Sequence, residues 1–93
     1  MVERIREMEA RLDRAAAAVK GLERALETYR AAREDIAALA DYYDSPQWLA
    51  DYDAEGSLPP DLPRGVLSQD GIYDLLSADK ELREELADLI GRA

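Results

Sequence analysis

From Ile5 onward the non-polar residues recur at alternating steps of three and four: Ile5, Met8, Leu12, Ala15, Val19, Leu22, Leu26 and Tyr29, then Arg33 as the exception, then Ile36, Ala40 and Tyr43. Eleven of these twelve a and d positions are non-polar over six heptads, which predicts a coiled-coil-like helix over residues 1–43. Good helix formers fill the other positions, Glu7 to Arg11 has favourable i, i+4 spacing, and no proline precedes Pro46. Gly21 falls at an outward heptad position, costs roughly 1 kcal/mol against Ala, and is expected to leave the helix continuous. A second stripe has Ala18, Ala25 and Ala32 at seven-residue spacing, with Ala15 and Ala16 adjoining. It would let another helix backbone come close, although helix propensity alone accounts for alanine equally well.

After the long helix the period changes. Ser45-Pro46 reads as an N-cap and first helical position, opening a short corner helix over residues 45–53 with Trp48, Leu49 and Tyr52. Three prolines and two glycines between Asp53 and Gly65 make residues 54–67 a non-helical connector. Leu58, Leu62 and Val66 suggest that this loop is ordered against the helices. Ser68-Gln69-Asp70 then caps a helix with Ile72, Tyr73, Leu75 and Leu76. A hesitation at Ser77-Ala78-Asp79 is expected before a final stripe of Leu82, Leu86, Leu89 and Ile90. The expected fold is therefore all-α and a single helical domain over 1–93. In it, one or two C-terminal helices over 68–92 pack back antiparallel on the long helix.

Length bears on that packing. A helix over residues 2–43 is roughly 60 Å long, whereas a compact domain of this size is about 30 Å across. Residues 68–92 span at most roughly 37 Å, leaving about a third of the seam for another chain. A homodimer is expected through Ile5, Met8, Leu12, Val19 and Leu22.

Charge divides the 93 residues in two. The net charge is −9, yet the chain from Val2 to Ala40 balances eight acids against eight bases. From Asp41 onward thirteen acids face only Arg64, Lys80, Arg83 and Arg92. Such an imbalance repels phosphate backbones, so no nucleic-acid partner is expected. The chain has no Cys, His or Asn, which excludes disulfides, the usual zinc sites and Cys or His nucleophiles. No cofactor and no catalytic residue are expected. The opening Met1-Val2-Glu3-Arg4 lacks an apolar stretch after a basic cluster, and the longest apolar run is Ala15 to Val19. A cytoplasmic protein with no signal peptide and no membrane partner is the expectation.

Several residues together resemble a known family. They are the opening Met1-Val2-Glu3-Arg4-Ile5, then Asp41-Tyr42-Tyr43, Trp48-Leu49 with Asp51-Tyr52, and Leu58-Pro59 to Leu62. Above all there is Arg64-Gly65-Val66-Leu67-Ser68-Gln69-Asp70-Gly71-Ile72-Tyr73-Asp74-Leu75-Leu76. Over essentially the whole chain they resemble the short bacterial proteins grouped as domain-of-unknown-function family 4298. The resemblance implies an all-helical fold of about this length and brings no activity, ligand or catalytic residue with it.

Four patterns invite a functional reading. Asp51-x-Asp53-x-Glu55-Gly56 matches the first half of a calcium loop, but position twelve is Leu62 and Pro59-Pro60 stiffens the return. Glu81, Glu84, Glu85 and Asp88 lie within reach on one helix and could hold Mg²⁺ in a carboxylate-only hydrolase; a solvated charged face explains them as well. Pro60-Asp61-Leu62-Pro63-Arg64 has the spacing of a proline-rich ligand core. Tyr42, Tyr43, Trp48 and Tyr52, interleaved with Asp44 and Asp51, suit recognition of a basic or apolar protein surface and equally suit plugging the corner of the fold. The sequence-level expectation is a non-enzymatic dimeric adaptor with an acidic aromatic surface. The alternatives are the metal-dependent hydrolase and an acidic neutraliser of a basic protein.

Overall fold

The computed structural model describes residues 1–68 and 70–92. Gln69, in the middle of the expected cap before the last helix, and Ala93 lie outside them. The fold is all-α: α1 (Val2–Tyr43), α2 (Pro46–Asp53) and α3 (Gly71–Gly91), with 3₁₀ turns at Glu55–Ser57 and Gly65–Leu67 in the connector. The chain falls into two units, Met1–Glu34 and Asp35–Ala93.

The first unit is helix alone. Arg6 Nη1 reaches Glu3 Oε1 at 3.1 Å and Arg11 Nη2 reaches Glu7 Oε1 at 3.0 Å, one turn apart on an exposed surface. Pairs of this kind contribute about 0.3–0.5 kcal/mol each, so helix propensity carries most of the local preference. The helix runs through Gly21 unbroken, and nothing lies within 4 Å of where a Cβ would stand there. No residue of α1 is buried. The seam residues Ile5, Met8, Leu12, Val19 and Leu22 are between 51% and 65% exposed.

In the second unit the last turns of α1 become half-buried at Ile36, Leu39, Ala40, Tyr42 and Tyr43. Asp44 N–H to the Ala40 carbonyl and Ser45 N–H to the Tyr42 carbonyl end the helix, and Pro46 starts α2 at its first position, where no backbone donor is required. Ser45 takes the N-cap place with extended backbone, but its hydroxyl does not cap α2. It turns back and donates to the Tyr42 carbonyl at 2.6 Å. The core is small: Leu67, at 6% exposure, and Ile72, at 3%, are its buried members. The Leu39 end of α1 and the start of α3 meet around them, so the long helix packs against the C-terminal helix there.

Of the cap expected at the start of α3, Ser68 makes the bond and Asp70 does not, and the expected break further along is absent. Asp70 occupies the N-cap without a side-chain cap bond, and Ser68 Oγ, two residues earlier, accepts the Gly71 N–H at 3.0 Å. No break occurs at Ser77-Ala78-Asp79, and one helix continues to Gly91. Asp79 meets Arg83 Nε at 3.0 Å one turn on, within the continued helix.

Candidate functional site

The corner where α1 gives way to α2 gathers most of the residues singled out by sequence. The turn at Asp44-Ser45 brings Tyr43 against Trp48 edge to face, with ring centroids 5.0 Å apart at 68°. One helical turn further along α2, Tyr52 stacks on Trp48 at 5.3 Å and 24°. These geometries suit the ring quadrupoles and are worth about 0.5–1.5 kcal/mol per pair beyond area burial. The indole N–H, which needs a partner once its ring is covered, donates to the Val66 carbonyl at 2.8 Å. Trp48 thus joins α2 to the second 3₁₀ turn, eighteen residues away.

Beside the ring stack is a polar cluster. Tyr42 Oη donates to Asp51 Oδ2 at 2.7 Å, and Gln47 Nε2 donates to Asp51 Oδ1 at 2.9 Å. The hydrogen bond from Tyr42, then that from Gln47, holds the Asp51 carboxyl below its ordinary 3.8, outweighing a small opposing effect of burial. The same Tyr42 to Asp51 bond pushes the phenol above 10.0, with burial and the carboxylate charge adding to it. Gln47 was missed at the sequence level, although its i, i+4 spacing to Asp51 on one helix was the available signal.

The connector is organised by another residue whose role was not foreseen. Arg64 Nη2 donates to the Leu58 carbonyl at 3.2 Å and to the Pro59 carbonyl at 3.0 Å, while Nη1 lies 3.9 Å from Glu55 Oε1. The guanidinium therefore clips the loop on itself. Leu62 N–H bonds to the Pro59 carbonyl, closing a turn across Pro60-Asp61 at the head of Pro60-Asp61-Leu62-Pro63-Arg64. That turn at Pro60-Asp61 is incompatible with the extended conformation required of a proline-rich ligand.

The calcium-loop reading fails for a related reason. Asp51 and Asp53 belong to α2 and Glu55 to a 3₁₀ turn, so the alternating oxygens follow helical backbone rather than wrapping a common centre. Asp51 is engaged by Tyr42 and Gln47, and Glu55 faces Arg64. Glu81, Glu84, Glu85 and Asp88 remain on the exposed surface of α3. Among the described residues no three carboxylates are grouped to hold a metal ion, so the hydrolase reading lacks its required constellation.

The partner-facing set divides. Tyr42, Tyr43, Trp48, Tyr52 and Asp51 are half-buried and serve one another, whereas Asp44 stands exposed, as do Asp41 and Asp53. What the corner offers outward is carboxylate, with Leu49 56% exposed beside it. An apolar groove of about 480 Å³ lies nearby, lined by Leu39, Pro63, Gly65, Val66, Gly71, Ile72 and Leu75. Among the described residues, no helix is long and apolar enough to cross a membrane.

No curated protein and no solved structure matches the chain. The family described as Domain of unknown function (DUF4298) matches residues 5–89. The match covers nearly all of the sequence, including the Arg64 clip, the Trp48 corner and the start of α3. The chain belongs to that family.

Proposed function

We propose that this protein is a non-enzymatic interaction module that pairs with a second copy through the α1 seam and presents its acidic corner to a protein partner. The observation that carries the reading is the exposure of Ile5, Met8, Leu12, Val19 and Leu22, each more than half accessible on one heptad stripe. A continuous apolar stripe of this kind ordinarily marks an interface. Covering these residues on two copies contributes on the order of 10 kcal/mol, against an association cost of about 4–15 kcal/mol. The margin is narrow, so pairing depends on concentration.

The test is molar mass by light scattering across a concentration series. It should climb from the 10.4 kDa of one chain toward twice that value. Leu12→Glu, which places a charge in the seam, should return the mass to that of one chain with the helical circular dichroism per residue largely kept. A mass that stays at one chain throughout the series overturns the pairing. The surface offered to the further partner centres on the exposed Asp44, with Asp41 and Asp53 exposed nearby and the half-buried Asp51, Tyr42, Tyr43, Trp48 and Tyr52 behind them. Its surplus of acids suits a basic or apolar protein surface.

A further inference from the structure

We infer that the two α1 helices pair antiparallel, in the register that centres the contact between Lys20 and Gly21. The inference rests on the pairing proposed above and adds its orientation and alignment. It follows from the charges and small residues that flank the seam of one continuous helix.

With Ile5 at position a, the g flank carries Arg4, Arg11, Ala18 and Ala25, and the e flank carries Glu9, Ala16, Glu23 and Arg30. Antiparallel helices place g against g and e against e. In the proposed register Val19 packs on the partner's Leu22, Ala15 on the partner's Leu26, and Met8 on the partner's Arg33. On the flanks, Glu9 faces the partner's Arg30, and the symmetry repeats the pair. Both residues are exposed, and neither has an ion-pair partner among the described residues. Arg11 faces the partner's Ala32, and Ala18 faces the partner's Ala25, where two backbones approach closely. No like charges meet.

The alternatives are less favourable. Sliding one heptad in one direction sets Glu9 against the partner's Glu23, and sliding in the other sets Glu23 against the partner's Glu23. Parallel pairing gives one good contact, Arg4 with the partner's Glu9, but buries Arg33 against the partner's Arg33 at an a position. A like pair within the seam is desolvated and outweighs an exposed ion pair on the flank. The antiparallel register alone gives Arg33 an uncharged neighbour while also satisfying Glu9 and Arg30.

The chain has no cysteine, so spin labels can be placed singly. Ala10→Cys and Lys20→Cys put them at outward heptad positions, and the distance between copies is read by pulsed electron spin resonance. In the antiparallel register the Lys20 labels lie about 20 Å apart, while the Ala10 labels are separated by at least roughly 30 Å along the axis. Similar short distances at both sites, with a dimer mass, overturn the orientation and leave the pairing standing. A dimer mass without the short Lys20 distance overturns the register. A monomer mass with no distance at either site removes the pairing itself. As a second arm, Glu9→Arg and Arg30→Glu should each raise the dimer dissociation constant by roughly tenfold, and the double variant should restore it to within about twofold. Failure of the double variant to recover would contradict the contact.

Discussion

The Tyr42 hydroxyl and the Asp51 carboxylate, nine residues apart, form a 2.7 Å hydrogen bond that closes the corner between α1 and α2. The pair predicts a stability profile with two edges. Asp51 has a lowered folded-state pKa, so its contribution is complete above 3.8 and is lost as pH falls through the folded value. Tyr42 has a raised one, so its contribution is complete below 10.0 and is lost as pH rises through the folded value. Tyr42→Phe should therefore lower the melting temperature most between these limits, and the gap to the parent should narrow at both ends. Melting followed by circular dichroism across pH checks this; a gap constant from strongly acidic to strongly alkaline conditions contradicts it.

Trp48→Phe keeps an aromatic ring against Tyr43 and Tyr52 but removes the donor to the Val66 carbonyl. Loss of one hydrogen bond of this kind costs about 0.5–1.5 kcal/mol, and the smaller ring adds to it. In a chain of this length, a melting point lower by about 4–8 °C per kcal/mol is expected in thermal denaturation. Hydrogen exchange should speed up around Gly65–Leu67 more than within the first half of α1, since only the former is tied to the indole.

Two glycines should respond to alanine with opposite signs. At Gly21 the Cβ meets nothing within 4 Å in a helix interior, so Gly21→Ala should stabilise by about 1 kcal/mol. At Gly71 the Cβ would collide with the Gly65 carbonyl oxygen and stand 2.6 Å from Ser68 Oγ. Gly71→Ala should destabilise by about 1–3 kcal/mol. Urea unfolding of the two variants beside the parent decides the matter, and an equal effect would undo the packing argument at the start of α3.

Arg64→Lys keeps the charge and loses the fork that spans two carbonyls. An ammonium is a compact donor without that planar geometry, so the substitution should cost about 1–2 kcal/mol, close to the cost of Arg64→Met. Urea unfolding measures both. Full retention of stability by the Lys variant would mean that charge toward Glu55, rather than the loop clip, matters.

Much of the fold was legible because its signals are local. The seam from Ile5 to Tyr43, proline at the head of α2 and the Pro/Gly connector depend on residues a few positions apart. Arg64 was not legible as a clip, because the Leu58 and Pro59 carbonyls become its partners only after the 3₁₀ turns have formed. The half calcium loop is discounted in the sequence by Leu62 and Pro59-Pro60, and Asp51 and Asp53 lie in α2, within the corner helix expected over 45–53. The continuity of α3 across Ser77 was hidden by the weak helix propensities of Ser77 and Asp79. Of the aromatic group, clustering was readable, but the engagement of Tyr42 with Asp51 required the corner itself.

The packing of Trp48 against two tyrosines also equips the chain with an optical sensor. Because it is the only indole in the sequence, its emission originates from one place, with Tyr43 and Tyr52 close enough to hand it excitation energy. Detachment of the connector would bare the ring to solvent and shift that light to longer wavelength. Occupancy of the acidic corner by a binding protein could thus be followed by titration on the unlabelled molecule, while events confined to the first half of α1 would leave the signal unchanged.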